Sequence, residues 1–221
     1  MWIDIHSHQA QQKAGLKRIL SVEPADFKRF DTGVDLQGER ASMSLGIHPW
    51  NALDWDLNSV LSLMDDFLNK KVLFIGEIGL DKSSTVPFSN QMLVFKTQLE
   101  MAVKCNKPVL LHVVRAMAET LQAKKEYPTI PAWVIHGFRG GKQEAEQYIS
   151  KGFYLSFGPK FNKEGLLACP SDRLLLETDN SGVDINVVYE LVEQVLQCTL
   201  EKLEKQIESN FSTLFDKQKD I

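Results

Sequence analysis

The sequence predicts an α/β fold in which parallel strands form a barrel with helices between them. Eight short runs rich in apolar and β-branched residues are typical of buried strands. Helical patterns separate the later runs, and alternation of strand and helix favours a parallel sheet. All five histidines of the chain lie at or just beyond the end of such a run. Functional residues of parallel barrels lie at the carboxyl ends of several strands, so this placement supports a barrel and predicts a site.

The predicted strands follow one another along most of the chain. They are residues 2–6, 16–22, 41–47, 72–78, 108–113, 132–136, 153–157 and 173–177. Only nine residues separate the first two strands, fewer than the dozen or so of a usual parallel crossover. The sequence therefore predicts a barrel that is irregular at its start.

Helical periodicity lies between the later strands. Apolar residues recur on one helical face within residues 57–69, and helical patterns also cover residues 91–105, 117–126 and 143–150. The tail over residues 187–215 is expected to form two helices that pack across the barrel.

Length and charge limit the kinds of protein that the chain can be. Its 221 residues suit one barrel domain over residues 1–221. Lysine and arginine total 25 against 29 acidic residues, which argues against a nucleic-acid binder that works by overall positive charge. A local basic patch is still compatible with this balance.

Cysteine use and hydropathy bear on location. Cys105, Cys169 and Cys198 are odd in number and form no Cys-x-x-Cys pair, so neither a disulfide framework nor a cysteine zinc site is predicted. A reducing, cytoplasmic location is expected. No run approaches the roughly 18 apolar residues of a membrane span, and the charged, histidine-containing start of the chain does not suit a secretory leader.

Six side chains at strand ends form a candidate metal site. His6 and His8 occupy alternate positions of an extended strand and therefore share one face. Such a pair alone is as often structural as functional, but Glu77 follows an apolar strand within GEIGLD, where its carboxylate needs a cation or hydrogen bonds. The candidate ligands are His6, His8, Glu77, His112, His136 and Asp179. One zinc ion takes three or four protein ligands, so six predict two divalent ions, with magnesium, manganese, zinc and cobalt as candidates.

Short strings in a fixed order give the chain a resemblance to a known family. They read DIHSH, GIHP, GEIGLD, PVLLH, IHGFRG, YLSFG and LLETD, followed by NFSTLF, and they span residues 3–215. In this order they resemble the TatD family of metal-dependent deoxyribonucleases. The resemblance implies a distorted TIM (β/α) barrel of the metal-dependent hydrolase type, with Glu77 bridging two ions. The other ligands would be His6, His8 and Asp179 for one ion, and His112 and His136 for the second.

The chain departs from the family pattern at positions that would face substrate. The family usually has an arginine two residues after the histidine of PVLLH, where this chain has Val114 and places Arg115 one step later. Arg139 adds a cation within IHGFRG, and Asn180 begins a loop that replaces a proline-rich one. The candidate metal ligands are intact, so these departures concern the substrate and not the hydrolysis.

The predicted function is metal-dependent hydrolysis of phosphodiester bonds by water that two metal ions activate, as in a TatD-like deoxyribonuclease. Asp179 and Glu77 are the candidate catalytic residues, and Asp179 would orient or deprotonate the water. Candidate substrate contacts at the mouth of the barrel are His48, Arg115, Arg139 and Lys160. The expected partner is DNA or another phosphodiester, with no membrane and no obligate protein partner.

Three neighbouring residues have two interpretations each. Glu177 either supports the site or faces solvent, since alternation points it away from the ligands. His48 either fixes a turn or meets substrate, and it is not needed as a ligand. Trp50 either stacks a base or covers the core.

Two other functions stay open from the sequence. The same activated water could cleave a C–N or ester bond of a small molecule, as in amidohydrolases. No lysine ends a strand to bridge the metals of such a centre, which favours phosphoester chemistry. A non-catalytic, metal-binding scaffold is the second alternative, and the full set of six candidate ligands argues against it.

Overall fold

Eight parallel strands form the sheet of the computed structural model, which describes residues 1–10, 13–31 and 42–215. The strands pair in chain order, each with the next. They are β1 (Trp2–Ser7), β2 (Leu16–Val22), β3 (Ser42–Leu45), β4 (Val72–Asp81), β5 (Val109–Val114), β6 (Trp133–Ile135), β7 (Tyr154–Phe157) and β8 (Leu174–Leu176). All eight predicted strands are confirmed, and the predicted start of the third, Ala41, lies outside the described residues.

The barrel closes just after β8. The backbone of Asp179 forms a parallel bridge with Ser7, its N–H donates to the His6 carbonyl at 2.9 Å, and its carbonyl accepts from the His8 N–H at 3.3 Å. This closure brings together three candidate ligands, His6 in β1, His8 just after it and Asp179 just after β8.

The start of the barrel is irregular, as the sequence predicts. Residues 8–10 and 13–15 form no helix between β1 and β2, and the register of this pair shifts between Asp4 and Ser7. Such irregularities are common at barrel rims and beside active sites, where they re-aim side chains. This one lies beside His6.

Helices alternate with the strands from β2 onward. They are α1 (Pro24–Asp31), α2 (Leu57–Leu61), α3 (Met64–Leu68), α4 (Phe88–Cys105), α5 (Met117–Glu126), α6 (Lys142–Ser150), α7 (Lys163–Ala168), α8 (Ile185–Leu196) and α9 (Leu200–Thr213), with 3-10 helices at Pro49–Asp54 and Ser171–Arg173. Within the described ranges, no helix has both the length and the apolar character that crossing a membrane needs.

One predicted helix, over residues 57–69, is divided into α2 and α3. The Ser62 hydroxyl donates to the Ser59 carbonyl at 2.7 Å. Such a local bond competes with the backbone ladder of a helix, and α2 ends at this point. The other predicted helices are confirmed, with α4 beginning three residues earlier than predicted, at Phe88.

The two tail helices are confirmed and lie at the amino-terminal end of the barrel. The Tyr189 hydroxyl of α8 accepts from the Ile3 N–H at 3.0 Å and lies 3.1 Å from the Ile3 carbonyl, to which it donates. The Phe211 ring of α9 lies 6.4 Å from the Phe74 ring. Ile3 and Phe74 are early residues of β1 and β4, so the tail covers the end of the barrel opposite the candidate site.

Candidate functional site

Glu77 lies in the second half of β4 with 7% of its surface exposed, and histidines surround both oxygens of its carboxylate. Its Oε1 lies 2.7 Å from His136 Nε2, 2.8 Å from His112 Nδ1 and 3.2 Å from His48 Nε2. His48 follows β3, His112 lies in β5 and His136 follows β6. Three strands therefore direct imidazole nitrogens at one oxygen atom.

The second oxygen of this carboxylate faces the first strand. Glu77 Oε2 lies 3.3 Å from His6 Nε2 and 3.9 Å from His8 Nε2. Asp179 completes this side, because its Oδ1 lies 3.6 Å from His6 Nε2 and 3.5 Å from His8 Nε2. The structure thus brings all six candidate ligands together in two groups, one at each oxygen of Glu77.

The chemistry of these donors fits a divalent cation. His6 is fully buried, its Nδ1 has no hydrogen-bond partner among the described residues, and its Nε2 faces the carboxylates of Glu77 and Asp179 at 3.3 and 3.6 Å. A buried polar group without a partner costs free energy, and a metal ion is a common partner of imidazole nitrogen. Two sets of three groups have ligand atoms within 4.8 Å of one another: His6, His8 and Glu77, and His48, Glu77 and His112.

The negative charge of Glu77 is stabilised in spite of its burial. Burial alone would raise the pKa of Glu77, but the neighbouring histidines, foremost His136, hold that pKa well below its usual value. Burial would lower the pKa of His136, but Glu77 and Glu177 raise it well above the usual value. The carboxylate is therefore ionised near neutral pH, which is the form that binds a cation.

Glu177 lies behind His136. It is fully buried, its Oε1 lies 3.3 Å from His136 Nδ1, and the same oxygen accepts from the Gly137 N–H at 2.8 Å. Of the two interpretations from the sequence, burial excludes solvent and leaves support. A carboxylate on the far nitrogen of a histidine fixes the orientation and tautomer of the ring.

Asp81, at the end of β4, is a site residue missed from the sequence. Its Oδ2 accepts from Trp50 Nε1 at 2.7 Å and lies 3.4 Å from His112 Nε2. Burial would raise the pKa of Asp81, but hydrogen bonds from Ser83 and Trp50 lower it to about 2. A signal was present, because residues four apart in a strand share a face and Asp81 stands four residues after Glu77.

A buried polar network holds the first strand against the segment after β8. Asp4 accepts from Arg18 Nε at 2.9 Å, from the Thr178 N–H at 2.9 Å and from Thr178 Oγ1 at 2.8 Å. Thr178 Oγ1 also lies 2.9 Å from Ser7 Oγ. Two of these residues, Ser7 and Thr178, adjoin candidate ligands in the chain, so the network supports those ligands from behind.

An open cavity of about 370 Å³ lies above Glu77. Residues that line it include His8, Glu23, Asp26, His48, Trp50 and Asp179. His48 is closer to the centre than the sequence suggested, since its Nε2 approaches Glu77 while its Nδ1 accepts the Trp50 N–H at 3.2 Å.

The three cationic candidates occupy two places at the rim. Arg139 and Lys160 are exposed and line a cleft that Asp179 also lines. Arg115 lines a separate depression together with Lys82, and its backbone is left-handed, with φ of 54°. Two of the three cations thus lie beside the candidate ligands, and Arg115 lies elsewhere.

Known proteins of similar sequence include hydrolases and a nuclease. The model of the family described as TatD related DNase matches residues 4–216. The Uncharacterized metal-dependent hydrolase YabD of Bacillus subtilis is 28% identical over 194 residues, which cover 78% of this chain and 76% of that protein. The 3'-5' ssDNA/RNA exonuclease TatD of Erwinia billingiae is 32% identical over 145 residues, which cover 61% of this chain. This match spans 55% of the exonuclease, or about half of its length.

Two solved structures share the architecture over nearly the whole chain. The TatD homologue YjjV from Escherichia coli has a TM-score of 0.83 at 24% identity and covers 97% of this chain and 98% of its own. A hydrolase of the TatD family from Entamoeba histolytica has a TM-score of 0.79 at 19% identity and covers 98% of both chains. At these identities the likeness concerns the fold.

Proposed function

We propose that this chain, which belongs to the TatD related DNase family, is a metal-dependent hydrolase that cleaves phosphodiester bonds of single-stranded nucleic acid. Hydrolysis and metal dependence follow from the family and from relatives named as metal-dependent hydrolases. The single-stranded substrate is inferred from relatives named as ssDNA/RNA exonucleases. The observation that carries the proposal is the carboxylate of Glu77, whose two oxygens face separate sets of histidines.

Two ions would share Glu77 in this proposal. The other ligands are His6, His8 and Asp179 on the Oε2 side, and His112 and His136 on the Oε1 side. Six ligands exceed the three or four that one zinc ion takes, which supports two ions. Divalent ions bound there would lower the pKa of a bound water and offset negative charge on a phosphoryl group. Magnesium, manganese, zinc and cobalt are all candidates.

Outer hydrogen bonds favour His112 and His136 as ligands. His136 Nδ1 faces Glu177, so this nitrogen is expected to keep its proton, and a bound metal would displace the proton that Nε2 directs at Glu77. His112 Nε2 faces Asp81, so this nitrogen would keep its proton when a metal replaces the hydrogen bond between Nδ1 and Glu77. The outer carboxylates would therefore favour, in each ring, the tautomer that a metal needs.

His48 has the opposite arrangement. Its Nδ1 accepts the Trp50 N–H, so the proton of the neutral ring lies on Nε2, the atom that faces Glu77. A nitrogen that carries a proton cannot bind metal. His48 is therefore assigned to the substrate, as a hydrogen-bond donor to a phosphoryl oxygen.

Asp179 is the candidate base. Burial would raise its pKa, but the contact with His6 lowers that pKa overall, so the carboxylate is ionised and can orient a water or accept its proton. Arg139 and Lys160 line the cleft beside Asp179, where they would contact the phosphates of a bound strand. Arg115 lines a separate depression, so it would contact only a nucleic-acid strand that extends beyond the cleft of Arg139 and Lys160.

The test begins with metal removal by a chelator. Magnesium, manganese, zinc or cobalt is then added back, bound metal is counted per chain, and labelled single-stranded DNA, single-stranded RNA and duplex DNA are assayed. We expect near two ions per chain and metal-dependent cleavage of the single strands. Glu77→Gln is expected to reduce kcat by more than the roughly 10- to 100-fold typical of outer-shell changes, because it removes the shared ligand.

The matched control is Glu190→Gln, which changes an exposed glutamate of α8 and should leave both metal content and cleavage unchanged. No cleavage with any of the four metals would refute the proposal. Full activity in Glu77→Gln would refute the role of the shared carboxylate.

A cytoplasmic location is also proposed. Cys105, Cys169 and Cys198 are all free thiols in the structure, which suits a reducing compartment.

A further inference from the structure

Trp50 presents an exposed indole at the mouth of the cavity above Glu77. It is 58% exposed and lines the cavity. Leu53, on the same 3-10 helix, is 57% exposed and is not among the residues that line this cavity. Two equally exposed apolar side chains of one helix thus differ in whether they face the site.

Hydrogen bonds fix the position of this indole. Trp50 Nε1 donates to Asp81 Oδ2 at 2.7 Å, and the Trp50 N–H donates to His48 Nδ1 at 3.2 Å. Asp81 is itself buried and held by Ser83, whose N–H and Oγ donate to Oδ1 at 2.8 and 2.6 Å. A ring that is already ordered loses little conformational entropy when a ligand binds to it.

Neither neighbouring ring stacks on the indole in parallel. The His48 ring lies at a centroid distance of 4.7 Å and an interplanar angle of 83°, and the His112 ring lies at 5.8 Å and 73°. Both histidines also contact Glu77 Oε1. The indole therefore offers a flat, exposed surface one ring away from the centre of the candidate site.

Acidic and basic side chains lie on different sides of the barrel rim. Beside Trp50, Glu23 lines the cavity and accepts from Asn51 Nδ2 at 2.7 and 2.8 Å, so this wall carries a fixed acid. Arg139 and Lys160 follow β6 and β7, which lie across the barrel from β2 and β3. A bound strand would direct phosphates toward the cations and an uncharged planar group toward Trp50.

We propose that Trp50 is the stacking platform for an unpaired nucleobase next to the phosphodiester that is cut. This inference rests on the proposed function and deepens it, because it names the part of the substrate that makes the enzyme select single strands. Every base has a flat π face, so such a platform accepts any sequence, whereas a base paired within a duplex cannot reach it.

The kinetic test compares Trp50→Ala with Leu53→Ala on a short single-stranded oligonucleotide in the metal-loaded enzyme. Trp50→Ala is expected to raise KM by roughly 5- to 150-fold, the usual range for one base stacked on an aromatic side chain, with a smaller effect on kcat. Trp50→Phe, which keeps an aromatic face, should restore most of the KM. Leu53→Ala should behave as the wild type.

An abasic substrate separates stacking from positioning of the histidines. An oligonucleotide without bases on either side of the cut bond should have a raised KM with the wild type, and Trp50→Ala should add no further loss. An equal loss on both substrates would show that Trp50 acts by holding His48 or Asp81, and would overturn the proposal.

A binding measurement tests the contact without turnover. The chain has four tryptophans, so the fluorescence of Trp50 is taken as the difference between the wild type and Trp50→Phe. A slowly hydrolysed phosphorothioate oligonucleotide should quench this difference signal, and an abasic one should not. An unchanged signal at saturation would overturn stacking.

The two proposals fail in distinguishable ways. If no phosphodiester is cleaved with any metal, the proposed function fails, and the fluorescence titration still decides whether Trp50 binds a base. If single strands are cleaved but Trp50→Ala has the KM of Leu53→Ala, only the stacking proposal fails. Stacking of a small aryl phosphodiester, with no preference for oligonucleotides, would also contradict it.

Discussion

His136 is held between two carboxylates, Glu77 on one side and Glu177 on the other. The two contacts, at 2.7 and 3.3 Å, use different ring nitrogens. Glu177 has no exposed surface, and its Oε1 is also fixed by the Gly137 N–H. The outer carboxylate therefore fixes the orientation of the ring and favours a proton on Nδ1.

Glu177→Gln tests this positioning role. A glutamine has nearly the same size but lacks the charge that favours a proton on His136 Nδ1, so metal affinity and kcat should each fall by about 10- to 100-fold. Metal titration and steady-state kinetics measure the two effects. Glu144→Gln, which changes a glutamate in the first turn of α6, is the control. Unchanged affinity in Glu177→Gln would contradict the tautomer argument.

Residue positions were predictable where strand alternation determines them. His6, His112 and Asp179 were assigned to one site because each ends an apolar run, and the structure places them together, although their roles as ligands stay predictions. Asp81 and His48 were harder, because their places depend on a side-chain hydrogen bond and on the turn before Pro49. The first contact joins residues 31 apart in the chain, and the second depends on the local conformation of the turn that contains Pro49.

At the scale of elements, β4 approaches β5 so closely that only glycine fits. A Cβ on Gly79, which has φ of 149°, would lie 1.9 Å from the His112 carbonyl oxygen. A Cβ on Gly76 would lie 2.6 Å from Leu110. The register of β4 and β5 shifts between Ile75 and Ile78, the stretch that carries Gly76 and Glu77. Close strand packing therefore sets the distance between Glu77 and His112.

Gly79→Ala should move His112 as well as destabilise the fold. Overpacking of this kind costs typically 1–3 kcal/mol, which denaturant unfolding would measure. Loss of metal affinity beyond the loss of stability is expected, because the added methyl group meets the backbone of His112. Gly141→Ala is the control, since a Cβ there meets nothing within 4 Å. Equal stability of the two variants would contradict the close approach.

Helices were predicted well where the segment with a helical pattern of apolar residues is long. The strands followed from short apolar runs, and α4, α5 and α6 followed from helical periodicity, whereas the break between α2 and α3 lies at a local hydrogen bond of the Ser62 hydroxyl. The 3-10 helix at Pro49–Asp54 was also missed, although it carries Trp50. Short helices have too few residues to show a helical period, so their conformation depends on local hydrogen bonds.

At the scale of the whole molecule, the tail helices and the candidate site lie at opposite ends of the barrel. The tail helices cover the amino-terminal end through Tyr189 and Phe211, and the candidate ligands occupy the carboxyl-terminal end. The parallel barrel was predictable from the strand–helix repeat, and the fold of the TatD homologue YjjV agrees with it. A single domain over residues 1–221 stays a prediction.

Metal should stabilise the whole fold, because its candidate ligands lie in or just after strands throughout the barrel. A ligand that binds only the folded state at 100 times its Kd adds about 2.7 kcal/mol to the free energy of unfolding. Thermal unfolding with and without manganese should therefore show a higher Tm with the metal. Glu77→Gln should abolish most of the shift, and Glu190→Gln should keep it. An identical shift in Glu77→Gln would contradict binding at the shared carboxylate.

The opposed charges at the rim of the barrel have a consequence for the topology of the substrate. Glu23 and Asp26 line the cavity above Glu77, and Arg139 and Lys160 line the separate cleft beside Asp179. A linear strand can place its last nucleotide at the acidic wall and run out past the cations, but a closed circle must carry phosphates past both. Circular single strands should therefore be cut more slowly than linear ones of equal length in parallel cleavage assays. The free end of a strand would then be part of what the enzyme recognises.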